Sequence, residues 1–173
     1  MCGRDWSSDV CSSDLEKPMP AKKLKQFLDS ENVKYVCISH SPAYTMSEIA
    51  HAAHIPGKTV AKTVMVKIGE TMAMVVVPSS MHVDLEMLRE ATGAGSAELA
   101  NEKDFQDLFP GCEPGSMPPF GNLYGLDVFV SPALAGCEHI AFNAGTHTEL
   151  IQLAYKDFER LAAPKVVDVA LTN

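Results

Sequence analysis

Apolar positions change their period several times along this chain, and each change marks an element. Leu24, Phe27 and Leu28 recur at helical spacing within 21–32, with lysines on the other side, which predicts an amphipathic helix. Residues 35–39 form a short β-like run. Ser47 with Glu48 opens a short helix through His54, closed by Pro56-Gly57. Two strands are predicted at 59–68 and 71–77, joined by Gly69-Glu70, where glycine in first place suits a type II′ turn. Residues 72–77 are apolar without alternation, the pattern of a strand covered on both faces.

Further on, Leu85, Leu88 and Ala91 predict a helix over 84–92 that stops at Gly93. Asn101 caps another helix, carrying Phe105, Leu108 and Phe109 and ended by Pro110-Gly111. A loop over 111–125 holds four glycines and three prolines, too irregular for a helix or strand. Strands follow at 126–130, 139–143 and 149–153, then a helix over 155–162 and a last strand at 166–169. The pattern is α+β: a single domain with a mixed, mostly antiparallel curved sheet flanked by helices, its strand order open.

Residues 1–15 (MCGRDWSSDVCSSDL) show neither period and lack the basic start and apolar core of a secretory signal. They read as an artefactual tail, so 1–20 are set apart as a disordered or appended extension and 21–173 as the domain. The 173 residues are 46% hydrophobic and 21% charged, which indicates a globular chain with a real core. With 14 basic and 22 acidic residues the net charge is −8, so RNA could be met only through a local patch. No apolar run approaches the ~20 residues of a membrane helix. Five cysteines, an odd number without a C-x-x-C pair, fit reduced thiols in a cytoplasm. Cys37 is expected in the core, and Cys112 and Cys137 as surface thiols.

Three features could carry chemistry. Residues 49–69 contain no acid but do contain Lys58, Lys62 and Lys67, either a lysine-protected strand edge or a cationic island. Strand alternation then places Lys62 on one side with Val60, Val64, Val66 and Ile68, and Lys67 on the other with Thr59, Ala61, Thr63 and Met65. An ammonium among four β-branched side chains must snorkel, lose its charge or line a cleft; in a cleft it would bind anions or stabilise developing negative charge. The third feature is the segment Gly115-Ser116-Met117-Pro118-Pro119-Phe120-Gly121, inside an uncharged stretch over 114–126. Its glycines admit close backbone approach to a ligand. His51 and His54 lack a further ligand pair for a metal, and Ser79-Ser80 with His82 is not a nucleophile elbow. His147, after Gly145-Thr146, sits in a turn between two strands, where a histidine is either solvated or part of a site.

Taken together, these features resemble the YbaK family, the free-standing relatives of the editing domain of prolyl-tRNA synthetase, and the resemblance spans 21–170. VAKTVMVK resembles the family's lysine strand and assigns that role to Lys62. GSMPPFG resembles its GXXXP loop, with Gly115 and Pro119 in the defining positions and Ser116 and Met117 between them. FNAGTHTELIQLAYKDF resembles its strand-turn-strand-helix end, with Gly145 in the turn and His147 as a pocket histidine. SPAYTMSEIAHAAHI resembles the border of the acyl pocket, including Tyr44 and Thr45.

The resemblance implies a deacylase that hydrolyses the ester of mischarged tRNA, using water and the substrate's own ribose hydroxyl, with no metal, no cofactor and no side-chain nucleophile. It implies Lys62, Gly115 and His147 as catalytic residues, and Tyr44, Thr45, Thr63, Ser116, Met117, Pro119 and Gly145 as substrate contacts. Thr63 is at odds with alternation, which turns it away from Lys62. The implied partners are the tRNA acceptor end and an aminoacyl-tRNA synthetase, with no membrane. The expected substrates are Ala-, Ser- or Cys-tRNA, above all on proline tRNA. Met46, Met65, Met117 and Phe120 are candidates for shaping the pocket. A small acceptor-end grip means few phosphate contacts, about two to four. A non-catalytic tRNA-binding or synthetase-docking module of the same fold is the alternative, and a small-molecule esterase lacks its nucleophile. Deleting residues 1–15 is expected to leave the melting temperature unchanged in a thermal denaturation scan; a marked drop would make the head part of the fold.

Overall fold

The longest apolar runs of the chain form the spine of the molecule. The computed structural model describes residues 20–40, 48, 50–51, 54–109, 112 and 115–172. The chain begins with α1 (Pro20–Ser30), β1 (Tyr35–Ser39), β2 (Ala61–Ile68), β3 (Thr71–Pro78) and β4 (Met81–Val83). Next come α2 (Leu85–Thr92), β5 (Ala97–Leu99), α3 (Glu102–Phe105), β6 (Asp127–Val130) and α4 (Pro132–Ala135). It ends with β7 (His139–Asn143), β8 (Glu149–Ala154), α5 (Tyr155–Ala162), β9 (Lys165–Val166) and β10 (Ala170–Thr172).

β2 and β3 pair antiparallel from Ala61↔Pro78 to Ile68↔Thr71, and Gly69 turns between them with φ +63°, a conformation that carries no steric penalty for glycine. They are the centre of a five-stranded sheet in the order β5-β2-β3-β6-β9, in which β3, β6 and β9 run parallel. A second sheet, β1-β8-β7, is wholly antiparallel, and β10 pairs with β4. A parallel bridge, Val60↔Ala141, joins the two larger sheets. The α+β class and the antiparallel majority agree with the sequence pattern, while the single expected sheet is divided in three.

β3 shows why its run is continuously apolar. Met74 and Val76 face one core, with α1, α5 and the 115–121 segment; Ala73, Val75 and Val77 face another, with Leu88 of α2, Phe129 and Val169. The first core is built around Phe120, whose ring meets those of Phe27, Phe142 and Phe158 edge-on at 6.0, 5.6 and 5.6 Å. Met65, Met117 and Phe120 are all buried here, so they fill the interior instead of bounding an open pocket; Met46 lies outside the described residues.

Helix ends follow local chemistry. Asp84 accepts from the Met87 amide at 2.9 Å, and Gly93, at φ +66°, closes α2. Asn101 and Asp104 form a capping box on α3, and Asp104 also meets Lys67 at 3.0 Å. That helix stops after four residues, short of the expected 101–109, and Leu108 is exposed. Other expectations shift. Thr59 belongs to a 3-10 turn, Gly57–Thr59, held by its hydroxyl donating to Pro56 O at 2.8 Å. The last strand is two short ones, β9 and β10, with Val169 buried between them. β4, β5 and α4 span three or four residues each, too few to show a period. Cys37 is exposed, because β1 is the edge of its sheet. Cys112 and Cys137 are half-buried rather than surface thiols, and burial pushes the Cys112 thiol up to about 12. The head, Pro110-Gly111 and most of the 47–54 helix lie outside the described residues. Phe120→Ala is expected to lower unfolding free energy by about 3–5 kcal/mol in urea denaturation; a loss below ~1 kcal/mol would displace Phe120 from the centre of the core.

Candidate active site

The site grows from the register of β2. Its pairing with β3 is unbroken, so no bulge shifts Lys62, which stands opposite Val77. Lys62 shares its side of the strand with Val60, Val64 and Val66, as alternation predicts. Burial holds its ammonium below the usual lysine range, and no carboxylate among the described residues contributes to the shift. Thr63 is turned the other way, beside Ala61 and Met65, and its enclosed hydroxyl has no hydrogen-bond partner among the described residues. Its side chain is therefore not brought to the side of Lys62.

The bridge Val60↔Ala141 carries the second sheet alongside. Two residues beyond the bridge on each parallel strand stand Lys62 and Asn143, on the same side of the sheet. Asn143 is 3% exposed. Its signal in the sequence is a polar residue that follows the apolar Ile140-Ala141-Phe142 run within a predicted strand.

β7 then turns into β8, and this turn meets the Gly/Pro loop. Gly145, at φ +96°, donates its N–H to Ser116 O at 2.9 Å. Gly115, at φ +81°, faces His147: a Cβ on it would lie 3.8 Å from the His147 Cε1. Gly115 is exposed at the rim, whereas Ser116 and Pro119 are buried, and Met117 with Phe120 anchors the loop in the first core. His147 is half-buried with its Nδ1 enclosed. The fold thus gathers Gly115, Ser116, Gly145 and His147, and leads to them from Lys62 through Asn143. Tyr44 and Thr45 lie outside the described residues.

Chemically this is a poorly hydrated cation, an imidazole and a close-approach backbone loop, a set suited to holding an ester and stabilising charge on its oxygen. Other reactive types are placed elsewhere. The Ser79 hydroxyl donates to Gly57 O at 2.7 Å, a structural bond, and His51, His82 and His139 are exposed. Among the described residues no group of three His, Cys, Asp or Glu could hold a metal ion.

Comparison with known proteins adds to this geometry. The model of the aminoacyl-tRNA editing domain matches residues 40–161. The prolyl-tRNA editing protein ProX of Acetoanaerobium sticklandii is 24% identical over 140 residues, 78% of this chain and 85% of that one. The multifunctional Ser/Thr-tRNA deacylase ProXp-y of Escherichia coli is 30% identical over 100 residues, 57% of this chain and 59% of the relative. A solved structure described as that of a candidate trans-editing enzyme for prolyl tRNA synthetase superposes with TM-score 0.76 at 20% identity, covering 88% of this chain and 97% of that one. A hypothetical protein of known structure gives 0.77 at 18% identity, over 86% and 99%. At these identities the two structures show the fold.

The depressed Lys62 has a consequence for stability. Below its folded pKa the charged amine is held in a partly dehydrated place, and the folded state is penalised relative to the unfolded one. That penalty fades as pH rises through the depressed folded value toward 10.5. Lys62→Met should therefore be more stable than wild type at pH 7 in chemical denaturation, with the advantage shrinking toward pH 10.5. A variant that is less stable at pH 7, or whose difference ignores pH, would contradict burial of the amine.

Proposed function

We propose that this chain, which belongs to the aminoacyl-tRNA editing domain family, hydrolyses the ester joining a wrong amino acid to the 3′-terminal adenosine of tRNA. The observation that carries the reading is the clasp of Gly115-Ser116 onto Gly145-His147, next in register to a half-buried Lys62. Water attacks the ester carbonyl carbon, the bond from that carbon to the ribose oxygen breaks, and the ribose oxygen takes the proton. The free amino acid and uncharged tRNA result.

The residues divide this work as follows. Lys62 attracts the terminal nucleotide and the negative charge that builds on the carbonyl oxygen; its poor hydration strengthens both effects. Gly115 lets the ester lie against the loop backbone, and Ser116, Met117 and Pro119 keep that backbone in place. His147, packed against Gly115, holds the attacking water or a ribose hydroxyl. Gly145 fixes the loop through its bond to Ser116. The family motif assigns the amino-acid side chain to Tyr44 and Thr45. Thr63 contributes through backbone rather than hydroxyl, since its side chain faces the core.

The substrate is a small amino acid, alanine, serine or cysteine, with proline tRNA as the leading carrier. The reading is supported by one relative named for prolyl-tRNA editing and another for Ser/Thr-tRNA deacylation. The acceptor end is the part of tRNA that is gripped, and docking on an aminoacyl-tRNA synthetase would place the hydrolase where errors arise. Incubation with Ala-, Ser-, Cys- and Thr-charged tRNAs tests this directly. Wild type should release at least one amino acid. Lys62→Ala should lose about 100- to 1,000-fold in kcat/KM, with an unchanged circular dichroism spectrum. Undiminished turnover by that variant would remove Lys62 from the mechanism, and no release from any charged tRNA would leave a binding module.

A further inference from the structure

The sheet face that carries Asn143 does not end at the clasp. Followed the other way along β7, through Ala141 to His139, it opens into a cleft of about 910 Å³. Ile38 and Gln152 form its floor, paired respectively with Leu150 and Ala141 of the same sheet. The turn bearing Lys58, together with His54, lines another side. Lys58 is four residues before Lys62, so at most ~14 Å of extended backbone separates their Cα atoms. The cleft and the clasp are two ends of one surface.

Its charge is unusual for this chain. Lys58 is exposed and lies in the acid-free 49–69 segment. His54 and His139 add two imidazoles, and among the described lining residues Glu138 is the single carboxylate. In a protein of net charge −8, a groove whose described lining balances one ammonium against one carboxylate and adds two imidazoles as hydrogen-bond donors repels an anionic chain less than the acidic remainder does. Its volume is at the upper end of the ~300–1,000 Å³ typical of ligand pockets, room for more than one nucleotide.

We propose that this cleft takes the single-stranded nucleotides that precede the terminal adenosine of the substrate, with Lys58 on their phosphates and His54 and His139 donating to phosphate or base edges. The inference rests on the reading of Lys62 and its loop as the deacylation site, and it extends that site into an RNA path. Glu138 opposes the phosphates and keeps the grip weak, which suits an enzyme that must release its product.

The test is binding of a short RNA ending in CCA, followed by fluorescence anisotropy over a range of salt, beside hydrolysis of an aminoacyl ester of adenosine alone. Lys58→Gln should weaken RNA binding several-fold and lower the slope of log affinity against log salt by about 0.7, one single-strand phosphate contact. Glu138→Gln should tighten binding. Both variants should hydrolyse the adenosine ester at the wild-type rate, because that substrate does not reach the cleft. Equal affinity and equal salt slope for wild type and Lys58→Gln would overturn the proposal. If wild type hydrolyses neither the adenosine ester nor any charged tRNA, the deacylase reading fails instead, and the binding comparison still decides the cleft.

Discussion

The unbroken pairing of β2 with β3 is the constraint on which the site depends. Side chains alternate along a strand, so a slip of one residue would send Lys62 into the first core and Thr63 to its present place. Eight paired positions between the two strands hold that register, and both faces of β3 are buried, which penalises any slip. A one-residue shift would place Met74 and Val76 where Ala73 and Val75 now fit. The position of one amine is thus secured by the packing of apolar side chains on both faces of β3.

The second sheet supplies what the first lacks. Its bridge at Val60↔Ala141 brings the β7–β8 turn alongside the start of β2, and the Gly145-to-Ser116 hydrogen bond ties that turn to a loop anchored in the core by Met117 and Phe120. Each element is rigid for ordinary reasons of burial. On the proposed reading, the geometry of Lys62, the Gly115 loop and the β7–β8 turn is inherited from that rigidity, so that charge and backbone are preorganised for an ester. Lys62 carries an accompanying penalty: the partial dehydration that would strengthen its charge in the proposed role disfavours the folded state.

Much of this was legible in the sequence, for physical reasons that differ between elements. β7 and α5 coincide with their expected bounds, because an apolar run and a 3.6-residue period leave little choice. Lys62, Gly115 and His147 were singled out by register, by glycine in an uncharged loop and by family motifs, and Gly115 and His147 do meet. Cys37 misled because an apolar run says nothing of whether its strand is an edge. Cys112 misled because a residue outside any helix or strand can still pack against the core, as Cys112 does against the first one. The division into three sheets depends on contacts distant in sequence, and no local period records them. Asn143 was visible as a polar residue in an apolar strand, yet its meaning depends on which strand lies beside it.

The central claim is that Lys62, the Gly115 loop and the β7–β8 turn form one binding surface for the aminoacylated end of tRNA. The most direct measurement is an NMR titration with an amide-linked, non-hydrolysable alanyl-adenosine, following the backbone amides of Gly115, Gly145 and His147 and the side-chain amine of Lys62. The account predicts that all four resonances shift along one saturable curve. Shifts confined to the opposite face of the five-stranded sheet, around α1 and α5, with these four unmoved, would contradict it.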